Sequence, residues 1–502
     1  MKGENKHAII IGSGLGGLVC GYILAKNGLR VTVLEKNRQA GGCLQTFTRN
    51  GAKFETGMHY IGSMKKRQLL YNYFDYLSLI KDIRLNQLDE SGFDIISLKD
   101  NRYPIATGDD AFIETLSRFF PNEHSNLVNY RTNVHNIVST SPFCSFNFDN
   151  LSSLYSPSDF DISASHFLEQ TTANTVLQNV LAGNNFLYAG VYDKTPLYIY
   201  SLIQEFYNNS AFRIIGGSDS ITRSLISSIQ KMGGKVYTNS KVVEIKCDNH
   251  SATTAVLSTS ECIEGDYFIS DLHPARSIEL LSTPLIKKVY RKRISNLQNT
   301  ISNFTVYLQF KQNTIPYINS NFYHYNCDSV WNGEKYNEEE WPMNFVYMHI
   351  CNKENQQYAD TAILLAYMRY EEVQRWEDTV SGNRGTDYLE FKERKAERLI
   401  DELEKQMPGT KQNILHYYTS SPLTYRDYTG TEQGSMYGIL HDYADPYSSL
   451  VLSKTNIPNV FFCGQNTNAH GILGVIIGCF ITCAEIVGIQ TLVGQLKKIK
   501  EQ

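Results

Sequence analysis

Ala8-Ile9-Ile10-Ile11-Gly12-Ser13-Gly14-Leu15-Gly16-Gly17, with Val31-Thr32-Val33-Leu34-Glu35 downstream, decides the fold. The apolar run before Gly12 has the length and β-branching of a buried parallel strand. Residues 18–27 read as a helix that Gly28 stops. Residues 31–34 make a second strand, with Glu35 at its carboxyl end. This is a βαβ unit with glycines where a dinucleotide requires them. Gly12 allows the tight turn, Gly14 lets a pyrophosphate approach the backbone, and Gly17 lets helix and strand pack closely. Leu15 and Gly16 belong to the same cofactor turn, and the helix N-terminus offers N–H groups and a partial positive charge. Glu35 lies eighteen residues past Gly17, where an acid accepts from ribose hydroxyls and disfavours a 2′-phosphate. FAD or NAD suits such a site better than NADP.

The 502 residues suffice for two or three domains with large cores. Hydrophobic residues at 42% and charged residues at 20% fit an ordinary globular protein. A net charge of −4 argues against a general nucleic-acid binder. Tyr (33) and Phe (24) far outnumber Trp (3); most of these rings are expected in the core, and some could line an apolar cavity. The ten cysteines form no CxxC pair and no Cys/His cluster at zinc spacing, so no metal site is expected. Residues 1–7 are polar and do not read as a signal peptide, which makes reduced thiols and a cytoplasmic location the expectation. No run of eighteen apolar residues occurs; the best, 472–484, contains Thr482 and ends at Glu485.

Past Glu35 come Lys36 and then Gly41-Gly42-Cys43-Leu44-Gln45-Thr46, where the glycine pair lets the backbone bend around a cofactor. Phe54-Glu55-Thr56-Gly57-Met58-His59-Tyr60-Ile61-Gly62 follows. These phrases resemble the retinol saturase, carotenoid isomerase and phytoene desaturase group of flavoproteins, most of all the retinol saturase branch. The resemblance implies FAD as the tightly held cofactor, with Lys36, Gly41 and Gly42 along it and the loop of His59 near the isoalloxazine. It also implies a lipophilic small-molecule substrate.

Residues 112–120 read as a helix capped by Asp109 or Asp110, 147–161 as a polar, Ser-rich turn region, and 163–187 as helical. Residues 220–231 form a helix ended by Gly233-Gly234, and strands follow at 235–238 and 242–245. This looks like the group's return to the cofactor domain, with the Val243 backbone at the adenine edge. The basic run Lys287, Lys288, Arg291, Lys292, Arg293 has two readings, a peripheral membrane contact and a solvated helix face; the second is favoured. Residues 303–310 and 361–367 read as strands of a second sheet, and 387–407 as a long amphipathic helix. The stretch 421–438 resembles the group's return strand and loop beside the flavin.

At the tail, Asn459-Val460-Phe461-Phe462-Cys463-Gly464 is a buried strand, followed by Gln465-Asn466, His470-Gly471-Ile472-Leu473-Gly474 and an apolar helix. In the resembling flavoproteins an acid near Gly464 meets the ribityl chain, and the next helix points its N-terminus, here Gly471, Ile472 and Leu473, at the flavin. This chain has Asn466 where an Asp is expected; an amide still accepts a hydrogen bond. The expected architecture is α/β: a doubly wound, discontinuous Rossmann-type FAD-binding domain (1–64, 210–282, 446–502) with an inserted α+β substrate domain (65–209, 283–445).

The expected reaction is hydride transfer at flavin N5 to or from a C=C bond of a polyene or isoprenoid lipid, by saturation, desaturation or isomerisation. His59, Tyr60 and His470 are the candidate proton donors; histidine has a suitable pKa range, Tyr60 reads more as cavity wall, and His470 as a turn residue. With no second dinucleotide fingerprint, electrons come from NAD(P)H through an irregular surface, from another carrier, or from nowhere in a redox-neutral reaction. Two other readings stay open: a flavin amine oxidase, marked by an aromatic cage with a lysine near N5, and a non-catalytic prenyl-lipid carrier of the Rab escort type. The oligomeric state is not legible.

Overall fold

The computed structural model describes residues 6–148 and 162–501. Most of the Ser-rich stretch, 149–161, therefore lies outside the described residues. At the centre is a five-stranded parallel sheet. Its strands are β1 (His7–Ile11), β2 (Arg30–Leu34), β3 (Lys235–Tyr237), β4 (Tyr267–Ser270) and β5 (Val460–Phe462), in the order β3-β2-β1-β4-β5. β1 is buried throughout, which is why residues 8–11 are a continuous apolar run rather than an alternating one. Helices α1 (Leu15–Lys26), α2 (Asp219–Lys231) and α3 (Gly471–Val487) share one apolar core with the sheet, and α1 packs on both others. Head, middle and tail of the chain thus build one Rossmann layer.

The second unit is a seven-stranded mixed sheet, in spatial order Ile414–Ser420, Ser302–Phe310, Thr361–Met368, Asn344–His349, Asn321–Tyr325, Asp94–Leu98 and Asn101–Ile105. Only Asn321–Tyr325 and Asp94–Leu98 run parallel. Period-2 alternation divides the side chains. Phe304, Val306 and Leu308 turn towards the helix Thr386–Gln406, while Tyr307, Tyr323, Tyr325 and Tyr367 join Phe186 and Tyr60 on the opposite face. That second, tyrosine-rich face looks towards the cofactor layer.

Four local readings change. α1 begins at Leu15 rather than Leu18, because Gly14 adopts the extended N-cap conformation and the low-propensity Leu-Gly-Gly start is already helical. Asp109 and Asp110 sit in the first turn of the helix Asp109–Phe119, whose N-cap is Gly108. Asp109 is instead engaged by the buried Arg131, whose Nε donates to it over 2.7 Å. Residues 163–187 split into Ala164–Thr171, Thr175–Leu181 and a short turn of 3₁₀ helix, since Asn174 caps a new helix after the extended Thr172. The return strand is Ile414–Ser420, and Pro422–Thr429 is a helix opened by a Ser421/Thr424 capping box with proline at its first turn.

Among the described residues no helix is long and apolar enough to cross a membrane. All ten cysteines are free thiols. No group of three or more His, Cys, Asp or Glu among the described residues could hold a metal.

Candidate functional site

A cleft of about 980 Å³ runs along the carboxyl ends of β1, β2, β4 and β5, where an open α/β sheet binds its ligand. The sequence had singled out Gly12, Gly14, Leu15, Gly16, Glu35, Lys36, Gly42, Val243, Gly464, Asn466, Gly471 and Ile472; all of them line it. Gly17, Gly41 and Leu473 lie behind that wall, buried. His59 is absent from this cleft and lines its neighbour.

The cradle is built for something flat against backbone. Gly12 has φ +97°, which suits glycine alone, and a Cβ on Gly17 would overlap the Gly12 carbonyl oxygen. No side chain of α1 caps its N-terminus and no acid stands in its first turn, so the helix end can attract an anion. Glu35 is buried and fixed: Ser13 Oγ donates to its Oε2 over 2.6 Å, the Ser13 N–H over 3.1 Å, and the Asn37 N–H to Oε1 over 2.8 Å. The carboxylate is held at the end of β2 with its remaining lone pairs towards the cleft. Val243 lies in a bulge between the paired residues Val242 and Glu244 and is 44% exposed, so its backbone is left outside the ladder.

Asn466 behaves differently from the acid expected there. Its Oδ1 accepts the Ile439 N–H over 2.9 Å, and a Cβ on Gly438 would overlap that oxygen. The amide thus pins the 438–439 loop against the tail. α3 opens at Gly471 with φ +73°, and its first turn contains no acid. Burial pushes the preceding His470 down to about 4, so its ring, tilted against Tyr437 with centroids 4.3 Å apart, is neutral near pH 7.

A second cavity of about 130 Å³ continues from the first. Cys43, Gly57, Met58, Met436, Tyr437, Gly471 and Ile472 belong to both walls. Its own lining is mainly aromatic and apolar, with Tyr60, Phe186, Tyr207, Tyr323, Tyr425 and Leu365, and also carries the polar Thr56, His59, Asn303 and Ser435. It is small beside the usual few hundred Å³ of a ligand site, a narrow slot between rings. Among the described residues lining it there is no lysine.

Two buried acids stand behind the slot. Glu55, whose carboxyl burial pushes up, lies 3.8 Å from His59 Nδ1, and that nitrogen is buried without a hydrogen-bond partner. Asp94 is fully buried and pushed up to about 7 by that burial. Tyr60 Oη donates to Asp94 Oδ2 over 3.1 Å and lies 2.6 Å from Tyr323 Oη, while Asn321 Nδ2 donates to Asp94 Oδ1 over 2.8 Å. Arg213, also buried, anchors Asn321 over 2.8 Å. None of Asp94, Tyr323, Asn321 or Arg213 was found from sequence: the first three meet only through strand pairing in the second sheet, and Arg213 reaches Asn321 from the separate strand Ala211–Ile214.

A Rossmann layer whose glycine cradle and fixed acid open onto an aromatic slot defines a flavin-dependent oxidoreductase. The comparisons agree: residues 15–485 match the flavin containing amine oxidoreductase family, and the chain belongs to it. It is 26% identical over 541 aligned residues to all-trans-retinol 13,14-reductase of Homo sapiens, spanning 99% of this chain and 88% of that protein. It is 22% identical to prolycopene isomerase 1 of an Oncidium hybrid cultivar, spanning 86% of this chain and 75% of that one. The expected resemblance to retinol saturases and carotenoid isomerases therefore holds. A solved putrescine oxidase matches at a TM-score of 0.64 and 16% identity, over 96% of this chain and 99% of that one, which shows the shared fold.

Proposed function

We propose that this enzyme acts on C=C bonds of a lipophilic polyene or isoprenoid, by saturation, desaturation or isomerisation. The observation that carries the reading is the narrow aromatic slot joined to the cleft at the N-terminus of α3. A planar unsaturated chain is thin enough to lie between rings, and the full-length similarity to enzymes named for retinol and prolycopene supports the same class.

The cleft residues would hold FAD, with Glu35 on the adenosine ribose, the glycine turn on the diphosphate, Val243 at the adenine and the start of α3 beside the flavin. Hydride transfer at N5 is the chemistry that FAD supplies when bound. The helix dipole of α3 stabilises negative charge at its N-terminus. We assign the proton to Tyr60, backed by Asp94 and Tyr323, with His59 and its partner Glu55 as the second candidate. NAD(P)H or another carrier supplies electrons for a reductive reaction.

An amine oxidase is the other reading, favoured by the family and by the putrescine oxidase fold, but the slot lacks the lysine that reading calls for. Incubating the oxidised and the dithionite-reduced holoenzyme anaerobically with all-trans-retinol, lycopene and putrescine separates them. The expected result is a changed polyene spectrum and no bleaching of the flavin by putrescine. Rapid bleaching by putrescine alone would reverse the assignment.

The basic run divides in the structure. Arg291 Nη1 donates to Ile278 O over 2.9 Å and Arg293 Nη1 to Leu450 O over 3.2 Å, so both serve packing. Lys287, Lys288 and Lys292 are exposed, beside Val289 at 81% exposure. This patch suits peripheral contact with an anionic lipid surface from the cytosol. Salt-sensitive cosedimentation with phosphatidylserine vesicles is expected, weakened in Lys288→Glu/Lys292→Glu; equal recovery of both proteins would return the patch to a solvated face.

A further inference from the structure

Of the acids that line the cleft, Asp271 is the one turned into the glycine cradle. Asp271 follows β4, and its N–H donates to Ile11 O over 2.8 Å. Its carboxyl is turned into the hollow left by three glycines. A Cβ on Gly14 would stand 2.5 Å from Oδ2, and one on Gly16 or on Gly464 would collide with Oδ1. The same carboxyl lies beside Gly17, in the first turn of α1. That is where a βαβ dinucleotide fold receives its diphosphate. Two anions at one helix end, with Glu35 close by, repel each other in a partly desolvated site.

We propose that Asp271 holds the diphosphate of FAD in its neutral form, its carboxyl proton donated to a phosphate oxygen, so that in alkaline solution retention of the cofactor takes up one proton.

The groups facing Asp271 from each packed element support this. From the end of β2 comes Glu35, a negative charge, and from the turn after it Cys43. Just past β5 comes Cys463, with Sγ 3.9 Å from Oδ1, and from α3 comes Cys479. Burial pushes the Cys463 and Cys479 thiols up, so both are uncharged near pH 7. On its own segment His273 is pushed down by burial and is neutral as well. Lys36 and Arg276 also line the cleft, yet neither figures among the main influences on the Asp271 carboxyl. Partial burial first, and then the Glu35 charge, push that carboxyl up to about 8, against the opposing Gly17 amide and Cys463. A diphosphate adds more negative charge and raises it further. Binding is therefore strongest below the free carboxyl's pKa and is lost as pH rises through it.

The test is a titration of the apoprotein with FAD from pH 6.5 to 9.5, read by flavin fluorescence. The wild-type Kd is expected to be flat below about pH 7.5 and to rise about tenfold per unit above 8, roughly 30-fold weaker by pH 9.5. Asp271→Asn keeps a donor without the titration and should vary by less than about threefold over the same range; Asp271→Ser serves if the amide fails to fold. Calorimetry at pH 9 in two buffers of different ionisation enthalpy should count close to one proton taken up by the wild type. A flat wild-type curve, no proton uptake, or the same pH dependence in the variants would each overturn the proposal. It rests on FAD as the ligand; failure of the wild type to bind FAD at pH 6.5 would overturn that assignment, whereas the shape of the pH curve judges Asp271 alone.

Discussion

Glu35→Arg should purify as a folded, colourless protein. Glu35 is the fixed end of the cradle, and each hydrogen bond from a ribose hydroxyl to its carboxylate contributes about 1.5–3 kcal/mol. Losing two such bonds weakens FAD binding by at least about a hundredfold, before the bulk of arginine in a buried position is counted. Because Glu35 also anchors Ser13 and Asn37, the variant is read against circular dichroism and against Glu35→Gln, which keeps one acceptor and should retain an intermediate share of flavin. An undiminished visible flavin band in Glu35→Arg would remove the ribose role from Glu35.

Turnover should fall by about a hundredfold in Tyr60→Phe, within the usual span for loss of a positioned proton donor, while flavin content stays unchanged. Tyr60 lines the slot and is absent from the glycine cleft, so the two effects separate. Its own hydroxyl is pushed well above the usual tyrosine range by burial and Asp94; it acts as a relay for the proton Asp94 keeps. The pH profile then reports direction. In a reductive reaction Asp94 must hold its proton, so the wild-type rate falls as pH rises through about 7. In an oxidative reaction the same group must accept, and the rate rises instead. A profile that Tyr60→Phe leaves unmoved would shift the assignment to His59 and Glu55.

What was legible in the sequence was local or periodic. The head of the chain carries its glycines, its strand pattern and Glu35 within thirty-odd residues, and the tail strand with α3 is equally compact, so both walls of the cleft could be read directly. Helix ends were read less well, because Leu15-Gly16-Gly17 looks like loop by propensity and Ser421-Pro422 looks like a turn until its capping box is seen. The proton network was not readable at all. Asp94, Asn321 and Tyr323 come together by the register of two parallel strands 227 residues apart in sequence, and no spacing rule encodes that. Asp271 had a usable sign, an acid at the carboxyl end of a parallel strand, where the ligand side of such a sheet always lies.

The order of the central sheet also bears on synthesis. β1 needs β4 on one flank, and β4 needs β5, which is made more than four hundred residues after β1. During translation the nascent chain must carry a fully apolar strand that lacks its neighbour, a state open to aggregation and to chaperones. The ribosome therefore has to finish β5 and α3 before any flavin can be captured, and a message truncated shortly before residue 460 would yield a chain with most of its residues and none of its colour.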